Sequence, residues 1–239
     1  MTAVMVDEVR GAQFGDSRLS KRLEKIVQEL GEKPNLSIPA ATTSRAELEA
    51  AYRFFDNDKV SPDKILEPHI QATRRRIAQT DLALLVQDTT ELNLTRPTQQ
   101  VRDAGPLDSD ARRGAFCHPL MAFDSTGLPL GTVWQKRWSR DEIKDTLTKE
   151  KKNRKRKQTP IEEKESVRWL EGLRAARQIA AECPRTTCVC MGDSESDIYE
   201  LFSEPRSAGL GEIHLLIRAG QTRTTTDRET WLEKARSSP

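Results

Sequence analysis

The chain has 239 residues, 32% of them charged, and its 39 basic and 37 acidic side chains leave a net charge of only +2. With a mean hydropathy of −0.69 and no long apolar run, it excludes a membrane-spanning helix and a secretory signal core, so a soluble, cytoplasmic protein with no membrane partner is expected. The near-neutral balance also excludes a general polycation, so any binding to an acidic polymer must come from local clusters of basic residues.

Residues 1–15 show no periodicity and are expected to form a flexible arm. Asp16 or Ser17 caps a helix with Leu19, Leu23, Ile26, Val27 and Leu30 on one face, and Gly31 is expected to stop it. Its other face carries Arg18, Lys21, Arg22 and Lys25. On this helix alone a solvated face is the simpler reading, and cations tracking phosphates are the alternative. Pro34 and Pro39 bracket a loop. Ser44-Arg45-Ala46-Glu47 is a capping box that opens a helix through Tyr52-Arg53-Phe54-Phe55, broken at Asn57-Asp58. Ser61-Pro62-Asp63 opens a third helix that runs to about Ala78, with Pro68 as a kink point and Arg74-Arg75-Arg76 near its end. Residues 1–80 thus read as a small helical bundle with a cationic surface.

From Leu82 the pattern changes to strands. Leu82–Asp88 is the first strand, a short apolar run, rich in branched residues, that ends in the carboxylate of Asp88. A further strand begins near Glu91 after a tight turn. Residues 96–113 form a long polar loop, a length that is often functional. His118–Asp124 and Leu128–Trp138 form a hairpin around Asp124-Ser125-Thr126-Gly127. Residues 140–160 are polar, and Lys149–Lys157 are almost all cationic, which reads as a solvated or DNA-contacting loop. Ile161–Ala181 forms an amphipathic helix with Trp169, Leu173, Ala176 and Ala180 on one face and three glutamates near its start. A second apolar run, Thr186–Gly192, again ends in a carboxylate, Asp193. A helix through Ile198–Phe202 and a strand at Ile213–Arg218 follow.

Two such strands side by side in one sheet would bring Asp88 and Asp193 together, and two convergent carboxylates suit a hard divalent cation. A single Asp after a strand is most often a turn or cap residue; the matched pair is what carries the chemistry. The four cysteines, Cys117, Cys183, Cys188 and Cys190, have no C-x-x-C spacing, and with only three histidines they argue against zinc. The expected fold class is α+β: an N-terminal helical DNA-binding bundle over 1–80, then a ribonuclease H-like mixed α/β domain over 81–239, incomplete at its C-terminus. The element order fits that fold, in which the first strand is central and the fourth lies beside it.

Several blocks then support a closer likeness. Phe14–Leu19, Ala51–Asn57, Asp88-Thr89-Thr90-Glu91-Leu92, Arg113-Gly114 with His118, Lys164–Ser166 with Trp169-Leu170, Asp193–Tyr199 and Arg218 occur in one order. Over about residues 9–218 the chain resembles bacterial cut-and-paste DDE transposases of the insertion-sequence-4 family, in the branch of the transposon-five enzyme. The resemblance implies that Asp88 and Asp193 are catalytic and metal-binding, holding magnesium or manganese with a third carboxylate. It implies double-stranded DNA, both element ends and target, as partner. Arg18, Lys21, Arg22 and Arg53 are expected at element ends, and Arg113, His118 and Arg218 on DNA near the site. The location implied is the bacterial cytoplasm, with the nucleoid. Two departures stand out. Ser194 replaces the family's Arg, and no Tyr-x-x-Arg-x-x-x-Glu motif follows Arg218, so a C-terminally shortened, weakly active or inactive monomer is expected. The alternatives are a non-catalytic end-binding module, an inhibitor that pairs with full-length transposase, or the remnant of a decayed element.

Overall fold

The computed structural model describes residues 2–96, 98, 101–109, 111–141, 158–204, 211–220 and 230, the first two by backbone alone. The cationic run Lys149–Lys157 lies outside the described residues. The chain divides into two compact units, Met1–Arg76 and Ile77–Pro239. No described helix is long and apolar enough to cross a membrane.

The first unit is helical: α1 (Thr2–Val9), α2 (Ser17–Glu32), α3 (Ile38–Ala41), α4 (Arg45–Phe55) and α5 (Pro62–Ile77), the last running into the second unit. The expected caps form. Asp16 accepts from the Arg18 N–H at 2.9 Å, Ser44 from Glu47 at 3.3 Å and Ser61 from Lys64 at 3.3 Å, each satisfying a donor that the helix leaves unpaired. Where a flexible arm was expected over residues 1–15, the described residues 2–15 are ordered. Gly11 and Gly15 adopt φ of 93° and 74°, which lets the chain double back and sink Ala12 and Phe14 into the core with Leu23, Ile26, Ala51 and Phe54. Phe14 meets Phe54 edge-on at 5.6 Å. Glu8 pins α1 to α5 through Arg76 at 2.8 Å and His69 at 2.6 Å, and the Arg76 hydrogen bond holds its carboxyl below the usual range. An eight-residue helix is too short to announce itself by periodicity. α2 also continues through Gly31 to Glu32.

The second unit is a mixed sheet with a helix across one face. Its elements are β1 (Leu82–Gln87), β2 (Thr90–Asn93), β3 (Gly105–Pro106), β4 (Arg113–Asp124), β5 (Pro129–Trp138), α6 (Val167–Glu182), β6 (Thr187–Gly192), α7 (Tyr199–Ser203) and β7 (His214–Ile217). β1 is central. It runs antiparallel to β4 and parallel to β6, and β6 runs parallel to β7. β5 flanks β4 on the other side, and β2 and β3 pair with the beginning of β4. β4 therefore starts at Arg113, not at His118, and β3 sits inside the stretch expected to be a bare loop. Gly114 permits this close pairing, because a side chain there would collide with the Leu92 carbonyl. The helix expected from Ile161 is split into a 3-10 turn (Ile161–Glu163) and α6.

Alternation along each strand sorts the faces. Ala83, Leu85 and Gln87 of β1, His118, Leu120 and Ala122 of β4, and Cys188 and Cys190 of β6 are buried. Trp169, Leu173, Ala176 and Ile179 of α6 join the same core. Each such Leu or Ile contributes about 1.5–3 kcal/mol by leaving water. That packing fixes the height at which β1 and β6 end, and so the position of the two residues that follow them.

A candidate active site where two parallel strands end

The β1–β6 register runs from Leu82 beside Thr187 to Val86 beside Met191. The paired residues stop there; carried two residues further, the same register would bring Asp88 level with Asp193, on strands about 4.8 Å apart. Alternation puts both on the face opposite α6, with Leu84, Val86, Val189 and Met191. Asp88 accepts from the Thr89 N–H through Oδ1 at 2.7 Å. Asp193 caps a 3-10 turn (Ser194–Ser196), accepting from the Glu195 N–H at 2.9 Å. Two oxygen donors at one sheet end are thus each oriented by a backbone amide of their own turn. Among the described residues no group of three or more Asp, Glu, His or Cys side chains converges.

A directional chain of hydrogen bonds lies beneath Asp88, on the α6 side. Arg168 Nε donates to Thr89 Oγ1 at 2.8 Å. Thr89 Oγ1 and His118 Nδ1 are 2.8 Å apart, and His118 Nε2 and Gln87 Oε1 are 3.2 Å apart. Gln87 Nε2 donates to Cys190 Sγ at 3.4 Å. The Gln87 oxygen only accepts, so His118 carries its proton on Nε2 and takes the Thr89 hydroxyl proton at Nδ1. Burial above all, then the charges of Arg168 and Lys136, pushes the His118 pKa down to about 3, so the ring is neutral. Its ring stands edge-on to Trp169 at 4.6 Å. Burial also lifts the Cys190 thiol to about 12. It is the inert end of the chain, not a nucleophile.

His118 was expected to touch DNA. It is fully buried, and its contacts are internal. Arg113 is not brought to the site either. It starts β4 six residues before Pro119, the residue level with Asp88, which is about 20 Å along a strand. Arg218 is exposed at the right end of the sheet, its N–H donating to the Gly192 carbonyl at 3.1 Å. In the helical unit Lys21 and Arg53 are exposed, and Arg53 is flanked on α4 by half-exposed Tyr52 and Phe55. Arg18 is exposed but forks onto its own cap, Asp16, at 2.8 Å. Arg22 and Lys25 both converge on Glu47, Lys25 at 2.6 Å.

Gln87, Arg168 and the side chain of Glu195 are not among the residues expected at the site. Two of them leave a trace in the sequence. Gln87 is a polar residue at an inward position of an apolar strand. Arg168 is a cation in the first turn of a helix, where the macrodipole disfavours it.

Residues 1–60 match the family model described as transposase DNA-binding, which spans the helical unit from its start to the approach to α5. The match supports a transposase-type DNA-binding role for this region.

Proposed function

We propose that the chain is a transposase-type protein of the insertion-sequence-4 family, transposon-five branch, whose helical unit binds element-end DNA and whose second unit is a ribonuclease H-like nuclease domain. The observation that carries this reading is the register of Asp88 and Asp193, taken with the DNA-binding match at residues 1–60. The central β1, its parallel neighbour β6 and the antiparallel β4 support the ribonuclease H-like assignment.

The donors fit a hard divalent ion: two carboxylates, at the same level of adjacent strands, with oxygen as their only ligating atom. Asp88 and Asp193 would hold magnesium or manganese, which when bound activates water and stabilises the leaving oxygen of a phosphodiester. The Thr89 and Glu195 amides orient the carboxylates. Arg218, exposed beside them, contacts the DNA backbone, and Lys21 and Arg53 contact the element end. No Glu of this chain is assigned the third ligand position.

The test is binding to element-end and scrambled duplexes across a salt series in calcium, followed by cleavage in manganese. End preference, with any cleavage lost in Asp88→Asn and Asp193→Asn, is expected. End preference without cleavage would reduce the reading to an end-binding module. Equal, steeply salt-dependent binding to both duplexes would overturn the end-recognition part.

A further inference from the structure

Arg168 joins the two turns that carry the carboxylates. Its Nε donates to Thr89, the residue after Asp88, and its Nη2 reaches Glu195, two residues after Asp193, both at 2.8 Å. Nη1 holds the Glu165 carbonyl at 3.1 Å, which fixes the guanidinium to the start of its own helix. The side chain is 11% exposed, against 63% for Glu195. It lies 5.3 Å from the Trp169 ring centre and 5.8 Å from that of Trp138.

Its hydrogen bonds and ring contacts stabilise the fold, but they are set against two costs. A cation in the first turn of α6 opposes the helix dipole. Burial disfavours its charge, and the ion pair with a mostly exposed Glu195 returns little. What the guanidinium provides is a planar fork that spans two points at once, which no other side chain supplies.

We propose that Arg168 is a positioning residue that sets the separation of Asp88 and Asp193 for divalent-metal binding; this rests on the metal-site reading above. Geometry and charge predict opposite signs. A nearby positive charge repels a metal cation, so if charge alone mattered, removing it would tighten binding. Positioning predicts that removing it weakens binding.

The experiment measures manganese affinity of the whole chain by electron paramagnetic resonance, for wild type, Asp88→Asn, Arg168→Met, Arg168→Lys and Thr89→Val. Amide hydrogen exchange of Thr89 and Glu195 is followed in the metal-free proteins. Both Arg168 variants are expected to bind manganese about tenfold or more weakly, the scale seen when a ligand's support is removed. Faster exchange at both amides should accompany the loss. Arg168→Lys keeps the charge without the fork, so it should resemble Arg168→Met. Thr89→Val breaks the same bridge from the other side, and serves if an Arg168 variant does not fold. Affinity within twofold of wild type, or tighter, with unchanged exchange would overturn the proposal while leaving the metal site standing. Wild-type affinity no different from Asp88→Asn would overturn the metal-site reading, and the proposal with it.

Discussion

Asp88 stands opposite Pro119. The pairing of β1 with β4 and that of β2 with β4 share one register, from Ala83 beside Asp124 to Asn93 beside Gly114, so the two strands are one line interrupted at Asp88-Thr89. Leu94 donates to the Arg113 carbonyl at 2.8 Å, and Asp81 accepts from Thr187 on the other side at 2.8 Å. That alternation makes Asp88 and Pro119 a pair that would exchange both backbone bonds. Proline has no N–H to give, so the ladder breaks where the carboxylate is presented. Pro119→Ala should close the gap. The gain of one bond, about 0.5–1.5 kcal/mol, roughly offsets the added freedom of the unfolded chain, about 0.4–1 kcal/mol. Urea stability should therefore move by less than about 1 kcal/mol. The decisive measurement is exchange of the backbone amide that the substitution creates at position 119, expected to be as slow as those of His118 and Leu120. Free exchange would mean that Asp88 is out of line with the ladder.

Gly172 lets α6 pass directly over Gln87. A Cβ at that position would overlap the Gln87 side-chain oxygen. In an ordinary helix interior Gly→Ala gains about 1 kcal/mol. Here Gly172→Ala should lose about 1–3 kcal/mol by overpacking. In a Gln87→Ala background the same substitution should become neutral or stabilising. A double-mutant cycle in urea, with a coupling of about 1–3 kcal/mol, tests this. Additivity would show that helix and carboxamide do not meet.

His118 makes stability depend on pH. Its folded pKa is about 3 against 6.5 for the free side chain, chiefly through burial, with Arg168 and Lys136 adding repulsion. The unfolded chain therefore takes up a proton as pH falls below 6.5 while the folded chain does not. The stabilisation is complete above pH 6.5 and declines toward pH 3, with a slope approaching about 1.4 kcal/mol per pH unit. Urea midpoints of wild type and His118→Gln between about pH 7.5 and 5 should converge as the pH falls. Parallel curves would mean that the folded ring takes up its proton over the same pH range as the unfolded one, so that burial does not hold it neutral.

The strands that end in carboxylates were legible because each is a short apolar run that stops at an Asp. What the run does not contain is its register, which pairs β1 with β6 from Leu82–Thr187 to Val86–Met191 and so directs the residues beyond, Asp88 and Asp193, toward one level. The break at Asp88 read as a tight turn because Pro119, the residue that causes it, is 31 positions away and sits inside a strand pattern. For a similar reason His118, a structural residue on its own reading, was placed on DNA by the block in which it stands. Its partners, Thr89, Gln87 and Trp169, come from two other elements and are adjacent only in the fold. The order of residues 2–15 was hidden because Gly11 and Gly15 replace periodicity with two reversals.

The cations of the helical unit are unequal, and the inequality can be measured. Glu47 gathers Arg22 and Lys25, whose hydrogen bonds, that of Lys25 foremost, hold its carboxyl below the usual range. Asp16 is held down to about 2 by Arg18 in the same way. A cation already paired with a carboxylate releases less of the DNA counterion atmosphere on contact than one facing solvent. If the helical unit lies on phosphates, Lys21→Ala and Arg53→Ala should each lower the slope of log K against log salt by about 1, uniformly across sequences. Arg22→Ala should lower it by less. Glu47→Gln should raise both affinity and slope, because it frees Arg22 and Lys25 together. Fluorescence anisotropy on a labelled duplex, between about 50 and 200 mM salt, reads all four variants against wild type. Equal slopes for Arg22→Ala and Arg53→Ala, with no gain in Glu47→Gln, would show that the Glu47 cluster opens on DNA and that its pairing in the free protein sets no order among the cations.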